Sequence, residues 1–353
     1  MDTNGSVFNF SGRLDEIANR TNAAADVATW NFWTIFNIFI QFSPLLTNGG
    51  VLYLFAREPS LLTPFTVYAV NLFIANIITV IFHNPLDVVG KLYSTWWIGN
   101  SLCTMAQYTS YVFCGGMCNA HALIAMNRLW AVTFPVSYLQ KHQLKFAVGV
   151  CLSMWIYLNI CVIPGILLDV FVYRPPVEIK GSNIATDAPY EWLLIMQMLI
   201  FNLPIVIVLL VFPVVCWKAF RVPAVRVRPK VETNITSRQT ATRPIEAGTV
   251  AKTGGQDANN VEGPVANPAI KVSLRKINRN FIVLCLMTIG VLARFAPDQV
   301  YFTLLLFNIN VPGIHPIGSM LFEFISILDP IWLVLTLTEL RSAFHRVYIL
   351  RSG

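Results

Sequence analysis

The stretch from Trp192 to Trp217, WLLIMQMLIFNLPIVIVLLVFPVVCW, is long enough to cross a bilayer core and carries no charged side chain. A helix needs about 20 apolar residues to span the hydrocarbon, and in lipid only a helix or a closed barrel satisfies every backbone N–H and C=O. The alternating pattern of a barrel strand, about 10 residues long, is absent, so this stretch is a transmembrane helix. Apolar runs of the same kind fall near 30–56, 64–90, 102–126, 146–172, 280–307 and 317–338, which brings the spans to seven. The composition agrees. Of 353 residues, 55% are hydrophobic and 12% charged, about half the roughly 25% charge of a soluble domain, so water is not the main solvent of this fold.

Orientation follows from Lys and Arg, which collect on the cytoplasmic side. Nineteen of the 25 lie in the C-terminal tail and in the loops after spans one, three and five, five lie opposite, and Arg294 is inside span six. The N-terminus is therefore expected outside. Residues 1–27 are polar and lack a basic start followed by an apolar core, so they do not read as a cleaved signal peptide. They form an extracellular arm in which Asn4-Gly5-Ser6, Asn9-Phe10-Ser11 and Asn19-Arg20-Thr21 mark Asn4, Asn9 and Asn19 for N-glycosylation. Asn234-Ile235-Thr236 falls on the cytoplasmic side and stays unmodified.

Spans one to five occupy 28–221 and spans six and seven 273–338. Between them, residues 222–272 are polar, with almost no large apolar side chains, and read as a disordered cytoplasmic loop. Its basic flanks, Lys218, Arg221, Arg226, Arg228 and Lys230 on one side and Lys271, Arg275, Lys276 and Arg279 on the other, mark a membrane boundary with anionic headgroups and are compatible with an acidic partner surface. Residues 339–353 alternate apolar and basic at helical spacing, as in Leu340-Arg341-Ser342-Ala343-Phe344-His345-Arg346, which suits a helix lying on the inner leaflet. The expected fold is an all-α membrane protein: a seven-transmembrane helix bundle with a short amphipathic cytoplasmic eighth helix.

Residues at set places in the spans carry a resemblance. Thr47-Asn48-Gly49-Gly50-Val51 in span one, Asn71-Leu72-Phe73-Ile74-Ala75-Asn76 in span two, and Trp97-x-Gly99-x-x-x-Cys103 entering span three come first. Asn127-Arg128-Leu129 closes span three, with Pro135 after it. Trp155 and Pro164 follow in span four, Phe201-Asn202-Leu203-Pro204 in span five, Arg294-Phe295-Ala296-Pro297 in span six and Asp329-Pro330-Ile331-Trp332-Leu333 in span seven. In order and interval this set resembles the rhodopsin-like class of G-protein-coupled receptors over roughly 40–350, the cytoplasmic loop excepted.

The resemblance implies a receptor at the plasma membrane that binds an extracellular ligand and activates a heterotrimeric G protein. Arg128, with its neighbour Asn127, takes the coupling position at the inner end of span three. Asn48, Asn76 and Asp329 form a buried polar cluster in which the family's acid of span two and Asn of span seven have changed places; a helix-to-helix hydrogen bond and a sodium or proton site are both open readings. Met117, where the family often has Ser, weakens the sodium reading. The ligand pocket falls to Asp87, Ser110, Tyr111, Cys114, Phe295, Asp298 and Glu323. Ser110 replaces the acid of amine receptors, and Glu323 stands where opsins bind retinal through a Lys, so neither a typical amine nor a retinal Schiff base is expected; a peptide or another small ligand is.

Several departures from the family bear on mechanism. Arg128 has no acid beside it, and none occurs near Ile277. Leu333 and Phe212 replace two Tyr hydroxyls. No Cys lies between Asp169 and Tyr190 to pair with Cys103, so the outer loop is held by other means, or Cys103 is free or joined to another chain. Arg294 and Asp298 stand one helical turn apart, and burial of a lone charge in lipid is costly, so Arg294 is expected to pair with Asp298 or Glu323. His121 reads as a core histidine. No metal-ligand cluster, phosphate loop or nucleophile–base arrangement points to an enzyme, a cofactor or a nucleic acid. Two rival functions remain: a seven-helix transporter or channel lined by Arg294, Asp298, Glu323 and Asp329, and a degenerate receptor that does not signal.

Overall fold

The computed structural model describes residues 30, 32–93, 96, 98–174, 190–221, 288–305, 307, 309, 311 and 313–349. The arm bearing Asn4, Asn9 and Asn19, the loop 222–272, the first part of span six and the tail from 350 lie outside the described residues.

Among the described residues the elements are helical, without a strand. Seven long helices follow one another: α1 Phe32–Arg57, α2 Pro64–Leu92, α3 100–133, α4 Leu144–Tyr173, α5 190–221, α6 288–305 and α7 Ile314–Thr336. A short α8, Thr338–Phe344, comes after them. Of the seven, α1, α2, α4, α5 and α7 are apolar and long enough to cross a membrane. The other two bring Asn119, His121, Asn127 and Arg128 on α3 and Arg294 and Asp298 on the described part of α6, and buried charges in such helices are expected to face the bundle interior.

Local sequence sets the helix ends. Thr63 caps α2: its Oγ1 accepts from the Thr66 N–H at 3.2 Å while the Thr63 N–H donates to Thr66 Oγ1 at 2.7 Å, and Pro64 occupies the first turn, where a missing N–H costs nothing. Gly99, at φ +89°, makes the sharp entry into α3 that a side chain would strain, and the Trp96 indole donates to its carbonyl at 3.0 Å. At the other end α3 runs past the expected 126 to Thr133. It stops because Phe134, at φ −130°, precedes Pro135 and is pushed out of the helical region.

The bundle packs around α3, which touches α2, α4 and α5, while α1 lies against α2 and α7. Lipid tails are as apolar as the helices, so close approach through small residues does the packing. Gly116 on α3 sits under Trp155 of α4, where a Cβ would come within 2.8 Å of the ring, and Gly165 on α4 faces Trp192 of α5, where it would come within 1.7 Å. The Trp155 indole donates to Asn71 Oδ1 of α2 at 2.9 Å. Below α7, α8 is held against α1: Leu340 and Ala343 are buried, the Tyr348 hydroxyl donates to the Gly50 carbonyl at 2.8 Å, and Arg346 meets Glu58 at 2.9 Å.

Two prolines inside the bundle each free a carbonyl one turn earlier, because proline has no N–H to return to residue i−4. Pro330 frees the carbonyl of Ser326, and Asn48 Nδ2 of α1 donates to it at 3.1 Å. Pro204 frees that of Ile200, and Asn119 Nδ2 of α3 donates to it at 2.9 Å. Each asparagine thereby satisfies a group that lipid cannot. Asn119→Leu should lower the unfolding free energy of the purified protein by about 1–3 kcal/mol, the cost of an unsatisfied buried acceptor. In a Pro204→Ala background, where the helix can recover its own bond, the loss should shrink. Equal losses in both backgrounds, read by thermal melting, would contradict the pairing.

Candidate functional site

Five helices bring a side chain to one spot in the middle of the bundle. Arg294 of α6 and Asp329 of α7 are both fully buried, at 0% exposure, with Nη1 of the guanidinium 3.3 Å from Oδ2 of the carboxylate. His121 of α3 places its Nε2 3.2 Å from the same oxygen. Nη2 of Arg294 lies 2.8 Å from Met117 Sδ and 3.5 Å from Asn76 Oδ1. Asn76 Nδ2 of α2 donates to Asn48 Oδ1 at 2.9 Å, and Asn48 Nδ2 also donates to the Pro44 carbonyl at 2.9 Å. Aromatic faces close the rest: the guanidinium carbon stands 4.3 Å from the Phe322 centroid and 5.1 Å from that of Phe295, close enough for a cation–π attraction.

The acid that meets Arg294 is thus Asp329, not Asp298 or Glu323. The reason is side-chain direction. A helical side chain leans back towards its own N-terminus, so Arg294 points away from Asp298, four residues further on. It leans towards the level of Asp329, which lies beyond Glu323 along the neighbouring helix. Sequence spacing alone carries no such direction. The structure also adds His121, Met117 and Arg294 to the expected trio of Asn48, Asn76 and Asp329.

On the side of this hub nearer the start of α3, the candidate pocket residues divide. Asp87 is turned aside: its carboxylate pairs with Lys91 at 2.7 Å and accepts from Gln41 of α1. Glu323 is buried next to Asn84 of α2 and within the field of Arg294. Asp298 is pressed against Gly318 of α7, where a Cβ would lie 2.2 Å from its Oδ1. Cys114 lies in the field of Glu323, Asp87 and Asp298, and with Ser110 it bounds a π-helical turn of α3, Ser110–Cys114. Tyr111 in that turn packs against Trp192 and Phe201 of α5, with centroids at 6.2 and 6.4 Å. Phe295 is buried edge-on to Phe322 and His121. Between α5 and α6, Gln197 donates to Gln299, and Asn202 to Thr303 at 3.4 Å.

At the opposite end of α3, Arg128 stacks on Phe65 of α2, with its guanidinium carbon 3.6 Å from the ring centroid. It lines a cleft of about 200 Å³ with Phe65, Thr66, Leu337, Thr338 and Glu339. Asn127 is buried beside Tyr138 of the short helix Pro135–Lys141. That helix leads to His142, which stacks on Tyr138 and Tyr68 and hydrogen-bonds the Tyr68 hydroxyl at 3.4 Å. Burial lowers the His142 pKa below its ordinary 6.5, so near neutral pH it makes this contact as the uncharged imidazole.

Comparison with known proteins fits this arrangement. The family model described as "7 transmembrane receptor (rhodopsin family)" matches residues 47–332. G-protein coupled receptor 183 of Mus musculus is 28% identical over 162 residues, 44% of this chain and 44% of that protein. Proteinase-activated receptor 2 of Rattus norvegicus is 26% identical over 204 residues, 54% of this chain and 48% of that receptor. Melanopsin of Mus musculus is 25% identical over 125 residues, 34% of this chain and 23% of that protein. The chain spans about half or less of the length of these curated relatives. The family match covers every residue of the hub, from Asn48 to Asp329. The chain belongs to the rhodopsin family of seven-transmembrane receptors.

Proposed function

We propose that this chain is a plasma-membrane receptor, with its N-terminus outside and glycans on Asn4, Asn9 or Asn19, that binds an extracellular ligand among the outer halves of α3, α5, α6 and α7 and activates a heterotrimeric G protein. The observation that carries this reading is the hub. A movement of α6 away from α2, α3 and α7 would pull Arg294 from Asn76, Met117 and Asp329, so the bundle has a defined resting arrangement that a ligand can bias. A ligand shifts such an equilibrium only by its difference in affinity for the two states.

The chemistry beside the hub favours a peptide or another ligand with amide groups. The Gln197–Gln299 and Asn202–Thr303 contacts offer partners for ligand amides, and the buried carboxyls of Asp298 and Glu323 add polar groups beside them. Ser110 in place of an acid argues against a typical amine, and Glu323 cannot form a Schiff base. Asn48, Asn76 and Asp329 serve as an internal network, because Oδ2 of the carboxylate already has a guanidinium and an imidazole against it, and the positive guanidinium opposes a second cation there. A sodium ion there would be redundant. Exchanging sodium for potassium at constant ionic strength should therefore leave basal nucleotide exchange within about twofold, less than a 1 kcal/mol change in the resting equilibrium would give. A larger specific effect of sodium would restore the ion-site reading.

At the inner end, Arg128 is held by an aromatic ring and not by a carboxylate. Cation–π contacts contribute about 0.5–2 kcal/mol, so the resting restraint is weak and ligand-free signalling is expected. The direct test is nucleotide exchange with a panel of G proteins at matched surface expression. Wild type should show basal exchange, Arg128→Ala should abolish it, and Asn127→Asp, which restores an acid beside Arg128, should reduce it about fivefold, the effect of roughly 1 kcal/mol. If no G protein responds under any condition while the receptor reaches the surface, the chain is a receptor that does not signal.

A further inference from the structure

The outer end of α3 lacks the disulfide that its family resemblance leads one to expect, since no Cys lies between Asp169 and Tyr190 and Cys103 is buried and unpaired. The structure places an arginine there instead. The last turn of α4, Asp169–Tyr173, is π-helical, and the Arg174 N–H closes it on the Asp169 carbonyl at 2.8 Å. A π turn brings residues five apart onto one face, so the Arg174 side chain folds back on Asp169, which accepts from its Nε at 2.8 Å and from Nη2. The remaining donors cross to α3. Nη1 reaches Thr104 Oγ1 at 2.6 Å and the Asn100 carbonyl at 3.2 Å, and Nη2 reaches Gln107 Oε1 at 3.0 Å. Positions 100, 104 and 107 form one stripe of α3 at the i, i+4, i+7 spacing of a helix face.

This is a built site and not a surface pair. The side chains of Arg174 and Asp169 are 8% and 1% exposed, and the planar fork of arginine spends its donors on four acceptors from two helices. We propose that Arg174, charge-balanced by Asp169, is the positioning residue that holds the outer ends of α3 and α4 together in place of a disulfide. A staple of this kind has a property that a disulfide lacks: it is indifferent to reductant. It also depends on guanidinium geometry, so that a lysine, which presents one point charge, keeps the pair with Asp169 but loses the fork to α3. The inference stands on the fold and does not require the ligand or G-protein assignment.

The experiment is thermal melting of the purified full-length receptor, with dithiothreitol as the redox probe. Wild type should melt at the same temperature with and without dithiothreitol. Arg174→Gln should lower the midpoint by roughly 5 °C or more, as expected for breaking a buried charge pair in a protein of this size, and Arg174→Lys should recover part of that loss. Asp169→Asn should fall similarly, and Asp169→Asn with Arg174→Gln should lose clearly less than the sum of the two. A midpoint that drops with dithiothreitol, additive losses in the double substitution, or an Arg174→Gln receptor that melts like wild type would each overturn the proposal. Should Arg174→Gln yield too little protein to melt, Thr104→Val removes one arm of the fork from α3, and it must lower the midpoint more in wild type than in Arg174→Lys.

Discussion

A guanidinium with no exposed surface, in the middle of a bundle whose outer surroundings are lipid, sets the terms for everything near it. Such a charge is tolerated only when it is paired, and the two terminal nitrogens of Arg294 gather their compensation from α2, α3 and α7 at once. The exchange between Asn76 and Asp329 makes physical sense in this light. With the carboxylate on α7, next to α6, and the amide on α2, the hub holds one full negative charge directly against one full positive charge, and the amide of Asn76 links Arg294 to Asn48. Asn48 in turn spends both amide hydrogens and its oxygen, on Pro44, Ser326 and Asn76. The carbonyl that Pro330 frees on α7 is thereby tied to the same network.

Three arginines mark three levels of the bundle, each answered differently. Arg174 is met by a buried carboxylate and a stripe of α3 acceptors, Arg294 by a fully buried carboxylate and two rings, and Arg128 by a single ring. Arg128 has the weakest partner of the three, since a desolvated charge pair is worth more than a cation–π contact. The end of α3 that carries Arg128 is therefore easier to rearrange than the levels held by Arg174 and Arg294.

Much of this was legible in the chain. Apolar runs placed the described helix ends to within a few residues except the far end of α3, which continues from the expected 126 to Thr133, and the ordered markers from Asn48 to Asp329 identified the family because their intervals are set by helix length. What could not be read was partner choice across helices. Spacing suggested Asp298 for Arg294, but side-chain direction and the antiparallel course of α7 put Asp329 at the right level. Asn119 gave no local sign that it faces the carbonyl freed by Pro204, 85 residues away in the chain, and Arg174 could be seen as a clamp only once the π turn at Asp169 folded it back. Phe65 as the partner of Arg128 was likewise invisible, because an aromatic residue at the start of an apolar helix has no distinguishing pattern.

The claim on which the rest depends is that Arg294 and Asp329 form one electrostatic unit, and the most direct measurement is a double-mutant cycle of thermal stability on the purified receptor. Arg294→Met and Asp329→Asn should each leave an uncompensated group and lose about 3–5 kcal/mol, whereas the receptor carrying both should regain most of that loss. Losses that simply add, within about 0.5 kcal/mol, would show that the two side chains do not depend on each other and that the hub is not the organising element of this bundle.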